Sequence, residues 1–348
     1  MSDYARDLRP LAGLRVMEIS RGIAGASAGA LLRSWGAEVV LVVPEEGHPL
    51  ATQAPFSEAG VSLHDVYFNS KKERRTVAGA VDAALLADLG AGVDGAILEG
   101  DPPEVAALAA ALKIPAVTIT PFGLLGPRRH WKSSELVAQA YAGILFITGA
   151  PEREPLRIGV PLCEYAAGQA AAAALLSAVV AEAPQYRHAE VSVVEAALSI
   201  MEHSFATWEF QRRHWPRRGN HGTAAWGIYP CKDGYVGVIS GLGESWQRFR
   251  RLIGGGMLDE KYAQISARGE HADDVHAFVL GWLAERTAEE AFRDAQDAGL
   301  PFSILADAGQ VLGLDQLEAR GYFEERALNG TVSRIPGQAA QFFVEAGL

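Results

Sequence analysis

Cysteine is scarce in this chain: Cys163 and Cys231 are the only two in 348 residues. They lack metal-ligand spacing and are too few for a disulfide framework. Two thiols in a chain of this size suit a reducing, cytoplasmic compartment, with a single bridge between them left open. A basic excess is missing as well. Lys and Arg number 31 against 42 Asp and Glu, a net charge of −11, which argues against a generic nucleic-acid binder. A polyanionic ligand would have to meet local cations or helix N-termini, because the overall field repels it. The opening stretch MSDYARDLRPLAGLRV carries charges and no apolar core, so no secretory signal is expected there. The longest apolar run, AAGQAAAAALLSAVVAEA, is alanine-rich and interrupted by Gln169, and it reads as a buried helix. P-loop and H-E-x-x-H motifs are absent. Gly22, Gly25 and Gly29 do not make G-x-G-x-x-G, so small residues for close helix–strand packing are expected in place of a dinucleotide site. The nine histidines, His130, His203, His214 and His221 among them, form no ligand-spaced cluster, and no metal is expected.

The composition that remains, 49% apolar and 21% charged, is that of a globular protein, and the length suggests two lobes. GLRVMEIS (13–20) and AEVVLVVP (37–44) read as buried strands flanking a small-residue helix. Strand, helix, strand over that distance predicts a right-handed βαβ unit. The pattern repeats through ALLADLGAG, VDGAILEG, PPEVAALAAAL and PAVTIT. The fold class expected is therefore α/β: a Rossmann-like large domain with an open, mostly parallel sheet, plus a smaller α+β domain. A cleft is expected at the strand C-termini. SSELVAQAYAGILFITG reads as a helix, followed by an Ala-rich helix over 166–182. IYPCKDGYVGVIS reads as a hairpin around Lys232-Asp233-Gly234. The domain boundaries expected are 1–205 for the large domain with 325–348 returning to it, 206–225 for a linker and Gly loop, and 226–324 for the small domain.

Three stretches carry candidate chemistry. LRIGVPLCEYAAGQ places Glu164 at the mouth of the Ala-rich helix, either as a helix-terminal charge or as a reactive carboxylate. NSKKERRTV (69–77) holds Lys71, Lys72, Arg74 and Arg75, either a solvated charge run or a phosphate-holding patch. QRRHWPRRGN (211–220) has the same two readings, with Trp215 available for stacking.

Several stretches, in order along nearly the whole chain, resemble the class III CoA-transferases, the group that includes formyl-CoA transferase, carnitine CoA-transferase-type enzymes and α-methylacyl-CoA racemase. LAGLRVMEISRGIAGASAGALLRSWGAEVV is similar to that family's N-terminal βαβ signature. YFNSKK resembles its Asn-x-x-Lys segment, TITPFGLLGP its Gly-Pro loop and RIGVPLCEYAAG its nucleophile segment. GNHGTAAWGIYPCKDGYVGV resembles the Gly loop and hairpin of its small domain, and AGLPFSILADAGQVLGLDQLEARGYFEE its C-terminal specificity segment.

The resemblance implies an interlocked homodimer, with a paralogous subunit as an alternative partner. It implies no tightly bound cofactor, with coenzyme A and acyl-CoA as substrates alongside a carboxylic acid. It places Glu164 where the family's nucleophilic aspartate stands, one methylene longer, with Glu135 as its supporting carboxylate. It implies Asn220, His221, Gly222 and Thr223 as the active-site loop that shields the acyl intermediate. For CoA it implies Arg21, Ile23, Ala24, Lys71, Lys72, Arg74 and Lys132. The activity implied is CoA transfer between an acyl-CoA and a free acid through an anhydride and a thioester on Glu164. Two alternatives accompany it. One is isomerase, racemase or lyase chemistry with Glu164 as base, although the racemase branch's histidine is Ser134 here. The other is a non-catalytic CoA-binding subunit. Leu41, Val43 and Ala51 stand where the family often has charges, and Asp101-Pro102-Pro103 replaces a more neutral loop.

Overall fold

Short β-branched runs recur through the first part of the chain, and each becomes a strand of one sheet. The computed structural model describes residues 4–6, 9–79, 81, 83–181, 187–215, 217, 224–328 and 331–345. The chain forms two compact units, one of Met1–Phe146, Arg157–Trp215 and Gly321–Leu348, the other of Ile147–Leu156 and Pro216–Arg320.

In the first unit a short β1 (Tyr4–Arg6) leads to six parallel strands: β2 (Arg15–Ile19), β3 (Glu38–Pro44), β4 (Glu73–Val77), β5 (Gly95–Glu99), β6 (Ala116–Thr120) and β7 (His188–Ser192). Their order is β4-β3-β2-β5-β6-β7. This is the doubly wound order in which the chain builds outward in both directions from the β2/β5 pair, and a crevice opens at the carboxyl ends of those two strands. Residues 39–43 of β3 and all of β6 are buried, which is why these strands read as near-continuous apolar runs.

The helices that lie or begin in this unit are α1 (Ile23–Ser34), α2 (Leu63–Asn69), α3 (Ala83–Leu89), α4 (Pro102–Ala111), α5 (Glu135–Tyr141), α6 (Ile144–Ile147), α7 (Leu162–Val180), α8 (Val193–Ser199) and α9 (Glu202–Gln211). One face of the sheet packs Val16, Ile97, Val117 and Ile119 against Ala24, Ala28 and Leu32 of α1 and Ala167, Ala171 and Leu175 of α7. The other face packs Met17 and Leu98 against Leu86 and Leu89 of α3 and Val105 and Leu108 of α4. By length and composition alone α7 could cross a bilayer; its small residues are used to approach α1. A Cβ on Gly168 would stand 2.1 Å from Ser27 Oγ and 2.7 Å from the Ala24 carbonyl oxygen.

Three local expectations are corrected. SSELVAQAYAGILFITG is two helices, because Gly143 at φ +83° turns the chain between α5 and α6. The Ala-rich helix starts at Leu162, four residues earlier than read, so Glu164 lies inside its first turn. Residues 73–77 of the basic run form the edge strand β4, with four exposed side chains and Val77 buried.

In the second unit β8 (Trp226–Pro230), β9 (Tyr235–Ile239) and β10 (Ser303–Ile304) make an antiparallel sheet of order β10-β9-β8. The β8–β9 hairpin turns at Lys232-Asp233-Gly234 as the Asp-Gly pair predicts, with Pro230 opposite Tyr235. Around it lie α10 (Glu244–Ile253), α11 (Ala267–Glu270), α12 (Ala272–Ala284), α13 (Ala288–Asp297), α14 (Ala308–Leu312) and α15 (Asp315–Ala319). Its own core is built on Trp246, Phe249, Tyr262, Val279, Leu283 and Phe302. The chain then re-enters the first unit as the hairpin β11 (Phe323–Leu328) and β12 (Thr331–Pro336), and β13 (Phe343–Glu345) pairs with β1. Arg326 fastens that hairpin to α2 by donating to the Val66 and Tyr67 carbonyls and to Ser70 Oγ.

Candidate functional site

The crevice at the ends of β2 and β5 is a real cleft of about 290 Å³, lined among others by Arg21, Gly22, Glu99, Thr120, Lys132, Ser134 and Glu164. Beside it α1 starts with no capping side chain of its own. Its N-cap is Gly22, in extended conformation, and the first amides of a helix have no partner of their own.

Two carboxylates from elsewhere take those amides. Glu99, the last residue of β5, accepts from Arg21 N at 3.0 Å and Gly22 N at 2.8 Å, both on Oε2, with the Gly25 amide also on it. Glu164 accepts from Ile23 N at 2.9 Å on its Oε2, and the Ala24 amide faces it too. The positive end of a helix dipole thus supports both groups. Gly22 sits between them: a Cβ there would lie 2.8 Å from Glu99 Oε1 and 3.6 Å from Glu164 Oε2. In a dinucleotide-binding fold this helix end holds a pyrophosphate. Here it is filled from within the chain by side chains that would repel one.

Glu164 is therefore not the cap of its own helix. Glu135, at the start of α5, does that: its Oε1 accepts from Cys163 N at 3.0 Å and its Oε2 from Glu164 N at 3.2 Å. Gln139, one turn along α5, donates to Glu135 Oε1 at 2.8 Å and to the Ile158 carbonyl, and receives Ile158 N at 3.0 Å. It locks the approach to α7 against α5. Ser134 caps α5 through Val137 N at 3.4 Å. The loop before it is held by an aromatic cluster, Phe122 against Trp131 and Tyr141, with the Arg128 guanidinium over both of the latter rings.

Electrostatics follow from this placement. Burial first, then the neighbouring Glu99 charge and that of Glu135, push the Glu164 carboxyl up to about 7, while the Ile23 and Ala24 amides pull it down. Burial likewise raises Glu99, against the pull of its three amides. The Cys163 thiol is pushed up to about 12 by burial and the two glutamates, and it is a packed, inert free thiol.

The proposed CoA cations separate into two groups. Arg21 and Lys132 line the cleft, each paired with a carboxylate: Arg21 with Glu104 at 2.6 Å, Lys132 with Asp101 at 2.8 Å. Lys71 is tied to Glu324 at 2.5 Å and Arg74 to Asp65 at 2.8 Å, and neither lines the cleft. Lys72 is a correction to the surface-patch expectation. Its ammonium is fully buried, 2.6 Å from Glu18 Oε2, and donates to the Ala26 carbonyl at 2.8 Å and Asn69 Oδ1 at 2.9 Å. Glu18 in turn accepts from Ser20 Oγ at 2.6 Å, and Ser20 Oγ stands 3.1 Å from His48 Nε2. His48 Nδ1 accepts from Leu50 N at 3.1 Å, so its proton lies on Nε2, and burial holds this imidazole neutral by pushing it down to about 4. Asn220, His221, Gly222 and Thr223 lie outside the described residues. Among the described residues no group of three or more His, Cys, Asp or Glu is arranged to hold a metal ion.

Sequence reasoning missed Glu99, Gln139 and the buried Glu18–Lys72 pair. A glutamate ending an apolar parallel strand at the switch point was the available signal for Glu99.

Residues 108–346 match the model of CoA-transferase family III. The chain is 29% identical over 342 residues to the succinyl-CoA–D-citramalate CoA-transferase of Chloroflexus aurantiacus, covering 90% of this chain and 83% of that protein. It is 24% identical to the succinate–glutarate CoA-transferase of Agrobacterium fabrum, over 97% of this chain and 90% of that one. A crystal structure of a CAIB/BAIF family protein from Brucella suis shares the fold, with a TM-score of 0.79 at 22% identity over 96% of this chain and 97% of that one.

Proposed function

The chain belongs to CoA-transferase family III, and we propose from this premise that it moves coenzyme A from an acyl-CoA to a free carboxylic acid by way of Glu164. The observation that carries the reading is the Glu164 carboxylate itself: partly buried, lining the cleft at the switch point and accepting an amide at the start of α1. Glu164 Oε attacks the thioester carbonyl; the C–S bond breaks and CoAS⁻ leaves with the electron pair. The anhydride so formed is attacked by the thiolate at the Glu164 carbonyl, which releases the first acid as its carboxylate and leaves a Glu164–CoA thioester. The acceptor carboxylate then repeats the two steps in reverse and restores Glu164. The Ile23 and Ala24 amides are the donors for the oxyanion that develops when the Glu164 carbonyl is attacked. Arg21 and Lys132 take phosphate oxygens after releasing Glu104 and Asp101. The relatives' names point to dicarboxylic acyl groups as the first substrates to try.

The test is trapping. Protein incubated with succinyl-CoA is treated with borohydride or hydroxylamine and digested, and modification on the Glu164 peptide is expected, together with label exchange between succinyl-CoA and free acids. No label exchange and an unmodified Glu164 refute the reading.

The Glu164 carboxyl's position near 7 also favours a second reading, proton exchange at the substrate α-carbon with Glu164 as base. Solvent deuterium appearing at that carbon without acid exchange would select it. A non-catalytic subunit is refuted by transfer activity in the purified single chain. The reading includes a homodimer in the interlocked form. In its support, α9 buries none of its side chains and leaves Phe205, Trp208 and Phe210 exposed; light scattering of the purified chain tests it.

A further inference from the structure

Glu99 has no part in the transfer steps above, yet it is the group most tightly built into the end of α1. One of its oxygens takes two consecutive backbone amides. The helix makes room for it twice over: a Cβ on Gly25 would stand 2.8 Å from its Oε2, as one on Gly22 would stand 2.8 Å from its Oε1. A helix that needed only a cap would be served by a Ser, Thr, Asp or Asn at position 22. Instead the cap comes from the end of β5, so that two carboxylates from different parts of the chain divide one set of amides.

We propose that Glu99 is a positioning residue for Glu164: by taking the amides of Arg21, Gly22 and Gly25 it leaves those of Ile23 and Ala24 to the Glu164 carboxylate, and it sets a second carboxylate beside the one that reacts. This rests on the reading of Glu164 as the acylated group. In the first chemical step the negative charge leaves Glu164: its oxygen bonds to the acyl carbon and CoAS⁻ departs with the pair from the broken C–S bond. A like charge across Gly22 disfavours ionised Glu164 more than acylated Glu164, so it raises the ground state that attack relieves. The other groups facing the pair are Glu135 from α5, Cys163 and Tyr165 on α7, Glu18 near the end of β2 and Lys72 behind α1, with Arg21 and Lys132 lining the same cleft. Each of the three cations is committed to another carboxylate, Lys72 to Glu18, Arg21 to Glu104 and Lys132 to Asp101.

The experiment is a ¹³C-carboxyl NMR titration of the full chain labelled at glutamate, run on the wild type and on Glu99→Gln, with pH profiles of succinyl-CoA label exchange on the same samples. Gln can still accept the Arg21 and Gly22 amides but carries no charge. The Glu164 midpoint, about 7 in the wild type, is expected to fall by about one unit in Glu99→Gln. The acid limb of kcat should follow it, with the KM for succinyl-CoA unchanged, and Glu99→Asp should restore much of the wild-type profile. A folded Glu99→Gln chain whose Glu164 midpoint does not move overturns the proposal. If Glu99→Gln does not fold, the wild-type spectrum decides: the Glu99 resonance must step as Glu164 titrates, and a Glu99 carboxyl blind to Glu164 overturns the proposal. Because the titration needs no turnover, a chain that exchanges no CoA refutes the functional reading while the midpoint still judges the coupling.

Discussion

Replacing Glu164 by Gln should abolish CoA transfer and, above neutral pH, make the protein more stable. The second effect follows from linkage. The Glu164 carboxyl is raised from its ordinary 4.5 to about 7, with burial as the first cause and the Glu99 charge as the second. A carboxyl raised on folding favours the folded state while it is protonated. That contribution is present in full below 4.5 and is lost as pH rises through about 7. At about 1.4 kcal/mol per pH unit, the interval amounts to about 3 kcal/mol, an order of magnitude for a group that is only partly buried. Gln keeps the shape, can accept the Ile23 amide and has nothing to ionise. The assay is urea unfolding followed by circular dichroism, on wild type and variant, at pH about 4.5 and about 8. Only the change in their difference between the two pH values is read, so any packing cost of the amide cancels. The variant should gain about 3 kcal/mol relative to the wild type on going to the higher pH. A difference that stays constant, or a variant that loses ground at the higher pH, refutes the claim that folding raises the Glu164 carboxyl.

The other expectations probe the surroundings of this group. Glu135→Ala strips the cap from the Cys163 and Glu164 amides; it should cost about 1–2 kcal/mol in thermal unfolding and, if Glu164 reacts as proposed, lower kcat more than it changes KM, because α7 aims that carboxylate. Gly29→Ala places a Cβ 1.7 Å from Glu18 Oε2 and 3.2 Å from Lys72 Nζ; prising that buried pair apart should cost about 3–5 kcal/mol, read as a fall in urea midpoint. Lys132→Ala loses an ion pair whose lysine is 81% exposed, so stability should barely change. The KM for succinyl-CoA should rise with kcat intact, and added salt should shrink the gap between variant and wild type.

Much of the sheet was legible because burial on both faces leaves a plain mark: β2, β3, β5 and β6 are short apolar runs separated by helical ones. The β8–β9 hairpin was legible for a different reason, an Asp-Gly turn whose conformational demand is local. The edge strand β4 was hidden, since a strand with one neighbour and exposed side chains reads as a charge run. Lys71 and Lys72 show the limit most sharply. They are adjacent and identical in type, yet one is at the surface with Glu324 and the other is sealed against Glu18. Composition cannot separate them, because the difference is made by a carboxylate more than fifty positions away. Glu164 was singled out from its segment, but its environment is assembled from Ile23, Glu99 and Glu135, brought together only by the fold.

The glycines of α1 sharpen that point. Gly22, Gly25 and Gly29 recur at three and four residues, which puts them on one stripe of the helix. Read as a sequence, they suggested either a failed dinucleotide fingerprint or mere close packing. Each in fact clears space for a carboxylate, Gly22 and Gly25 for Glu99 and Gly29 for Glu18, with Ser20 Cβ also pressed against Gly25. Both glutamates lie at the carboxyl ends of parallel strands, Glu18 one residue before the end of β2 and Glu99 at the end of β5. A fold that elsewhere offers a bare helix end to a phosphate here carries its own anions to the same place. Any ligand reaching that helix end must then react with or displace a carboxylate rather than simply neutralise a dipole, and of the two that line the cleft Glu164 is the one proposed to react.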